Sequence, residues 1–260
     1  KKLFLLHKII IVVLILFICH NPNLNSKLTE KKFKKRFMNK VLLPQDVVGG
    51  SFWLISVAMI GAAIFFFLER GRLSNRWATV MNLVGVIALM SSIHYFYAKN
   101  LWVLNGQAPI ALRYIDWLLT FPLTILTFYV MLNSVTDIKR GMFWRLLVGT
   151  LVWVIAQLLG AYGYMSVTLG FLVGIVGWLY IIGELYMGDT GRKNASCGNE
   201  SVQMAFFANR LIITIGFSIY HIGYFIEHLA GGANINSLNV IYNLADFLNK
   251  IIFGMIIYSA

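Results

Sequence analysis

Lys250 stands in the middle of an apolar stretch, with about ten mostly apolar residues on either side, and Asp246 precedes it by four. In a helix that spacing stacks the two side chains on one face. An ammonium group deep in an apolar segment is costly, and snorkelling relieves the cost only near an interface. Two readings of the pair follow. It is a structural ion pair, or the lysine is a nucleophile, because a desolvated amine is suited to condensing with an aldehyde to a Schiff base. A protonated Schiff base needs carboxylate counterions. Asp246 is one candidate. Asp116, in RYIDWLLTFPLTILT, is another, with Arg113 three residues earlier as a competing partner.

Arg113, Asp116, Thr120 and Thr127 lie at offsets 0, 3, 7 and 14. At 100° per residue they fall within a stripe of about 60°. A polar stripe inside a membrane faces a protein interior or a water path. Pro122 removes one backbone hydrogen bond and favours a kink. The segment GFSIYHIGY puts Phe217, Tyr220 and Tyr224 on one face, and Trp117 and Trp178 add further rings. Aromatics at helical spacing are more often core packing than ligand walls. Beside a buried lysine and two carboxylates, they suggest walls for a long conjugated ligand.

These residues need a frame. Of 260 residues, 59% are hydrophobic and 12% charged, and the mean hydropathy is +0.74. That composition points to a membrane rather than a soluble domain. From Val47 onward, apolar stretches cover 47–68, 77–98, 107–132, 143–163, 165–187, 203–229 and 238–259. Each is long enough to cross a hydrocarbon core of about 30 Å as a helix. The expected fold is therefore an all-α, seven-helix transmembrane bundle over 46–260, multi-pass in the cell membrane. The break around Gly163 and Tyr164 is so short that the fourth and fifth helices must be antiparallel neighbours. Residues 1–45 are expected to form a signal-peptide-like or anchor leader, with apolar run Ile9–Cys19, and a basic arm, Lys27–Lys40. Cys19 and Cys197 lie far apart and imply neither a disulfide nor a metal site.

The net charge of +12 sits partly in that arm and partly in short loops, a pattern of membrane topology rather than nucleic-acid binding. The first break holds Arg70, Arg72 and Arg76, and the third holds Lys139, Arg140 and Arg145. By the positive-inside rule the odd breaks are cytoplasmic, the amino end of the first core helix is outside, and the carboxyl end is cytoplasmic. The run Lys27–Lys40 goes against that rule.

The segments SFWL, FFFLER, HYFYAKN, RYIDWLLTFPL, LVGTLV, GELYMG and IYNLADFLNKIIFG together resemble microbial rhodopsins, and proteorhodopsins in particular. The resemblance runs from about Ser51 to Tyr258. It implies all-trans retinal as a protonated Schiff base on Lys250. It also implies Asp116 as primary counterion and proton acceptor, Asp246 as second carboxylate, and Arg113 as organiser of counterion waters. Tyr95 and Tyr220 are expected to donate hydrogen bonds to the carboxylates. His94 matches a histidine paired with the acceptor, and Trp53 a residue that meets it across a protomer boundary, in a homo-oligomer of five or six. Trp117, Thr124, Trp178, Phe217, Tyr220, His221 and Tyr224 are the expected pocket.

Departures from the resembling family bear on function. Thr127 stands where pumps carry a carboxylate that returns a proton to the chromophore, and threonine has no proton to lend at neutral pH. Phe217 and His221 replace the usual Trp and Pro, and His221 restores a backbone N–H, so a kink there is less expected. Thr124 takes the place of a colour-tuning residue. Phe171 stands where carotenoid-binding relatives have Gly, against an antenna. The expected function is a light-driven outward proton pump with a slow cycle, not an enzyme. A photosensor with a separate transducer is the alternative, and a light-gated channel a weaker one.

Overall fold

The computed structural model describes residues 41–106, 110–232 and 234–260, with the backbone alone for 110–112. The expected leader run Ile9–Cys19 and the run Lys27–Lys40 lie outside the described residues. Among the described residues, every regular element is helical. Five spans are single helices: α1 (Val47–Glu69), α2 (Asn75–Asn105), α3 (Ile110–Val135), α4 (Arg140–Ala161) and α5 (Val167–Tyr186). A short α6 (Asp189–Ala195) follows. The sixth span is α7 (Glu200–Leu211), a π-helical turn Ile212–Gly216, and α8 (Ser218–His228). The seventh is α9 (Ile235–Asp246), a π-helical turn Phe247–Ile252, and α10 (Phe253–Tyr258). Among the described residues, seven helical stretches are thus long and apolar enough to cross a membrane. Helices satisfy every internal backbone group where no water can, and the chain is a multi-pass membrane protein.

The second span departs most from its expected limits of 77–98. Lys99 and Asn100 read as a break, yet α2 continues to Asn105. The Lys99 ammonium lies 4.6 Å from the Phe96 ring centre, so its stem is accommodated along the helix. The Trp102 indole donates to Asp46 Oδ2 at 2.8 Å, and Asp46 Oδ1 also caps α1 through the Gly49 N–H. One carboxylate therefore ties the start of α1 to the end of α2. Gly106, at φ 65°, then stops the helix in a conformation that suits glycine.

Neighbouring spans pack in chain order, and α9 closes the ring against α1. The α4–α5 contact is close because glycines line it. A Cβ on Gly177 would lie 2.8 Å from the Trp153 nitrogen, and one on Gly170 2.9 Å from the Gly160 Cα. Close backbone approach over small residues is how membrane helices associate without a hydrophobic driving force. The turn between these helices passes through Gly163 at φ 75°, and the Tyr164 N–H reaches back to the Leu159 carbonyl at 2.9 Å. The third span is the most enclosed of the seven and the fifth the least. Large apolar side chains such as Leu54, Val57, Ile60 and Ile64 face outward along α1, as they must where lipid is the solvent.

Candidate functional site

Lys250 lies in the π-helical turn of the seventh span and is 4% exposed. Its amine donates to Asp116 Oδ2 at 2.5 Å, Asp246 Oδ2 at 2.8 Å and Ser91 Oγ at 2.9 Å. Asp116 comes from α3, Asp246 ends α9 one turn before the lysine, and Ser91 comes from α2. Ser91 also donates to Asp116 Oδ1 at 3.0 Å, so it bridges amine and carboxylate. All three donor bonds of an ammonium group are filled.

The second carboxylate is held by both expected tyrosines. Tyr95 donates to Asp246 Oδ2 at 2.7 Å and Tyr220 to Oδ1 at 2.5 Å. Asn249 donates in turn to the Tyr220 oxygen at 3.1 Å. Gly216 makes room for Asn249: a Cβ there would run into its side-chain oxygen. The two π-helical turns therefore meet at a glycine and an asparagine.

Arg113 is buried but makes no ion pair with either aspartate. Its guanidinium donates to Asn239 Oδ1 at 2.6 Å and Asn243 Oδ1 at 2.8 Å, and lies 5.3 Å from the Phe52 ring and 5.2 Å from the Tyr242 ring. The competing pairing of Arg113 with Asp116 does not form. Two positive and two negative side chains nonetheless sit together out of water, so the charge of the centre is balanced. Asn239 and Asn243 share a helical face with Asp246 and Lys250 at i, i+4, i+7 and i+11. That spacing was the signal that could have found them. Ser91 carried no comparable signal.

The threonines of the α3 stripe turn inward on their own helix. Thr120 donates to the Asp116 backbone carbonyl, Thr124 to Thr120, and Thr127 to Leu123, at 2.8, 2.9 and 2.8 Å. Thr120 therefore meets the Asp116 backbone and not its carboxylate. His94 is half-buried and packs edge-on against Tyr95, with ring centres 5.2 Å apart. It makes no hydrogen bond to Asp116, whose free oxygen is taken by Ser91, one turn earlier on the same helix.

From the charged centre a row of rings leads away. Trp117 stacks on Phe121 at 5.6 Å and packs on Tyr220 at 4.9 Å; Phe121 meets Phe217 at 4.8 Å and Trp153 at 5.2 Å. Trp153 stacks on His221, which also packs on Trp178 at 4.6 Å. The Trp178 indole donates to the Ile213 carbonyl, in the π-helical turn of the sixth span, at 3.0 Å. Tyr224 lies further along, stacked on Phe171 and donating to the Val167 carbonyl at 3.4 Å. Phe121 and Trp153 were not among the expected pocket residues.

A lysine compensated by two carboxylates at one end of an aromatic row, inside seven membrane helices, is a site for a long flat aldehyde. A conjugated aldehyde fits the residues present: amine, counterions and flanking rings stand in that order.

The family model for bacteriorhodopsin-like proteins matches residues 47–260, and the chain belongs to that family of microbial rhodopsins. The blue-light absorbing proteorhodopsin of Gamma-proteobacterium Hot 75m4 is 43% identical over 216 residues, covering 82% of this chain and 86% of that protein. The green-light absorbing proteorhodopsin of Gamma-proteobacterium EBAC31A08 is 40% identical over 215 residues, with the same coverage of 82% and 86%. Among solved structures, blue light-absorbing proteorhodopsin from Med12 superimposes with a TM-score of 0.70 at 37% identity, over 82% of this chain and 97% of that one. Exiguobacterium sibiricum rhodopsin gives 0.72 at 27% identity, over 81% and 94%. Retinal is the chromophore of this family, held on a lysine as a Schiff base.

Proposed function

We propose that the protein is a light-driven outward proton pump of proteorhodopsin type, with all-trans retinal on Lys250 and a slow cycle. The observation that carries the reading is the Lys250 amine set between Asp116 and Asp246 at 2.5 and 2.8 Å. Retinal bound on Lys250 would supply light absorption and a light-driven change of shape at the nitrogen.

The residues do the rest. Asp116, held by Ser91 and facing the nitrogen, accepts its proton. Asp246 is fixed as an anion by the donors Tyr95 and Tyr220, so it stays a counterion while Asp116 is neutral. Arg113 hangs between Asn239 and Asn243 and supplies a positive field on the same side. The charge of the loops supports the side. Arg70, Arg72, Lys139, Arg192 and Lys193 all lie in or beside the odd breaks, which favours a cytoplasmic position for those breaks and an outside position for the amino end of α1. Asp116 then lies toward the exterior from Lys250, and Thr127 toward the cytoplasm. The rhodopsin unit spans 46–260 in this reading.

The bonding of Thr127 to its own helix favours one second reading, a photosensor acting through a separate transducer, since a slow cycle suits signalling. Photocurrents from the full chain with retinal separate these functions. The expected result is an outward light-driven current that keeps its sign at all voltages. A current that reverses marks a channel, and no current marks a sensor. Exposed Trp53 on α1 and His94 on α2 are proposed to line the contact of a homo-oligomer of five or six copies. Trp53→Ala is expected to shift the particle mass in detergent toward the monomer.

A further inference from the structure

Three side chains pass a hydrogen bond along inside the bundle and leave the last donor with nothing to meet. Trp153 Nε1–H donates to Gln157 Oε1 at 3.1 Å. Indole only donates, so the amide oxygen is committed to it and the amide nitrogen faces the other way. That nitrogen lies 2.9 Å from His221 Nδ1. An amide NH₂ donates and does not accept, so Nδ1 is the acceptor and the neutral ring carries its proton on Nε2. Among the described residues, none bonds His221 Nε2, in a residue 4% exposed. Buried donors are seldom left in that state.

A water molecule there would need two to four polar partners, and the polar groups of the residues around His221 each already hold one bond: Trp178 Nε1 with the Ile213 carbonyl, Gln157 at both ends, and Trp153 with Gln157. The place in the fold is more informative. His221 stacks on Trp153 at 5.1 Å, and Trp153 meets Phe121 and Phe217. Those rings lead through Trp117 and Tyr220 to Asp246 and Lys250. The row starts at Lys250 and has Trp153, Trp178 and His221 at its far end, where the ring of a polyene tethered at Lys250 would lie. The unsubstituted hydrocarbon ring of retinal offers Nε2–H nothing to bond.

We propose that this end of the site is built for a ring-oxygenated retinoid, an all-trans retinal with a carbonyl or hydroxyl oxygen on its ring, which accepts a hydrogen bond from His221 Nε2–H. The proposal rests on retinal occupying Lys250. His221 is then a specificity residue, with Trp153 and Gln157 positioning it by fixing its tautomer.

Protein made without chromophore is offered equal amounts of all-trans retinal and all-trans 4-oxoretinal, and in a second run retinal and all-trans 3-hydroxyretinal. Bound aldehydes are extracted as oximes and counted. The expected result is an enrichment of at least one oxygenated aldehyde by about tenfold, the weight of one hydrogen bond to a buried donor. His221→Phe is expected to level that preference. A second measurement serves if that variant does not assemble. For whichever aldehyde the parent enriches, the infrared stretch that the bond weakens should fall below its value in apolar solvent: the ring C=O stretch for 4-oxoretinal and, for 3-hydroxyretinal, the imidazole N–H stretch of His221, picked out by 15N-histidine labelling. Equal uptake by the parent, an unshifted stretch, or a preference that survives His221→Phe overturns the proposal. If retinal forms pigment and no preference appears, this inference alone falls. If no aldehyde forms a visible pigment, the retinal reading falls with it.

Discussion

At the scale of single residues, the centre is a contest of two anions for one cation. Lys250 reaches both Asp116 and Asp246, but the anions differ in their other partners. Asp246 takes two tyrosine hydroxyls and Asp116 one serine hydroxyl. Asp246 thus holds one donor more than Asp116, which supports Asp116 as the proposed proton acceptor. Lys250→Ala is expected to abolish the visible band of protein expressed with retinal, and a hydroxylamine-sensitive band surviving in that variant would overturn the attachment. Asp116→Asn is expected to move the band to longer wavelength and to remove the shift that acid produces in the parent. A carboxylate beside the cation stabilises the ground state more than the charge-delocalised excited state, so losing its charge narrows the gap. An unchanged spectrum and acid titration in Asp116→Asn would assign the counterion elsewhere. Ser91 bonds both members of the pair, and its role was illegible in the sequence: a serine in an apolar helix is unremarkable until its neighbours are placed. Lys250, Asp246 and Asp116 were legible because a charge in an apolar segment demands an explanation wherever it points.

At the scale of elements, the sequence announced seven spans by hydropathy and announced neither π-helical turn. A π turn is one extra residue in the hydrogen-bond ladder and leaves no composition behind. Its cause is visible only in contacts. In the sixth span Trp178 takes the Ile213 carbonyl from outside the helix, and the Phe217 N–H reaches Ile212, five residues back, at 3.1 Å. In the seventh span the turn carries Asn249 and Lys250. The two turns meet where Gly216 leaves room for the Asn249 amide, which holds Tyr220. Gly216→Ala is expected to push Asn249 off Tyr220 at a cost of about 1–3 kcal/mol, the usual weight of overpacking, read as a lower Tm of the pigment. Adding Asn249→Ala removes the clash, so the double variant is expected to melt no lower than Gly216→Ala alone. Additive losses in the double variant would mean that the glycine and asparagine are not coupled. Arg113 marks a limit of the same kind. Its place on the α3 stripe was legible, but its partners come from α9, and no local spacing in α3 could name them.

At the scale of the whole molecule, the polar groups divide unevenly along the bundle. Between Lys250 and the end assigned to the exterior stand Arg113, Asn239, Asn243 and Tyr242, bonded or packed to one another. Toward the cytoplasm, α3 offers Thr127, 11 residues after Asp116, about 16 Å along the axis at 1.5 Å per residue. Its hydroxyl is spent on the Leu123 carbonyl. Asn209 is buried there too, donating to the Phe253 carbonyl at 3.3 Å, and an amide has no proton to release. A group that returns a proton to the Lys250 nitrogen must hold that proton at neutral pH and release it on demand. Neither residue can, so in this reading the proton comes from bulk water on the cytoplasmic side. Recovery after a flash is then expected to be slow, and to slow further as pH rises and free protons become scarce. Thr127→Glu places a carboxyl at the vacant step and is expected to speed recovery and flatten its pH dependence. Added azide, a small diffusible acid, should do the same in the parent. The measurement is flash photolysis over a pH series on the parent and Thr127→Glu. A parent that recovers quickly and independently of pH has a proton donor elsewhere in its cytoplasmic half, and Thr127 then does not limit the cycle.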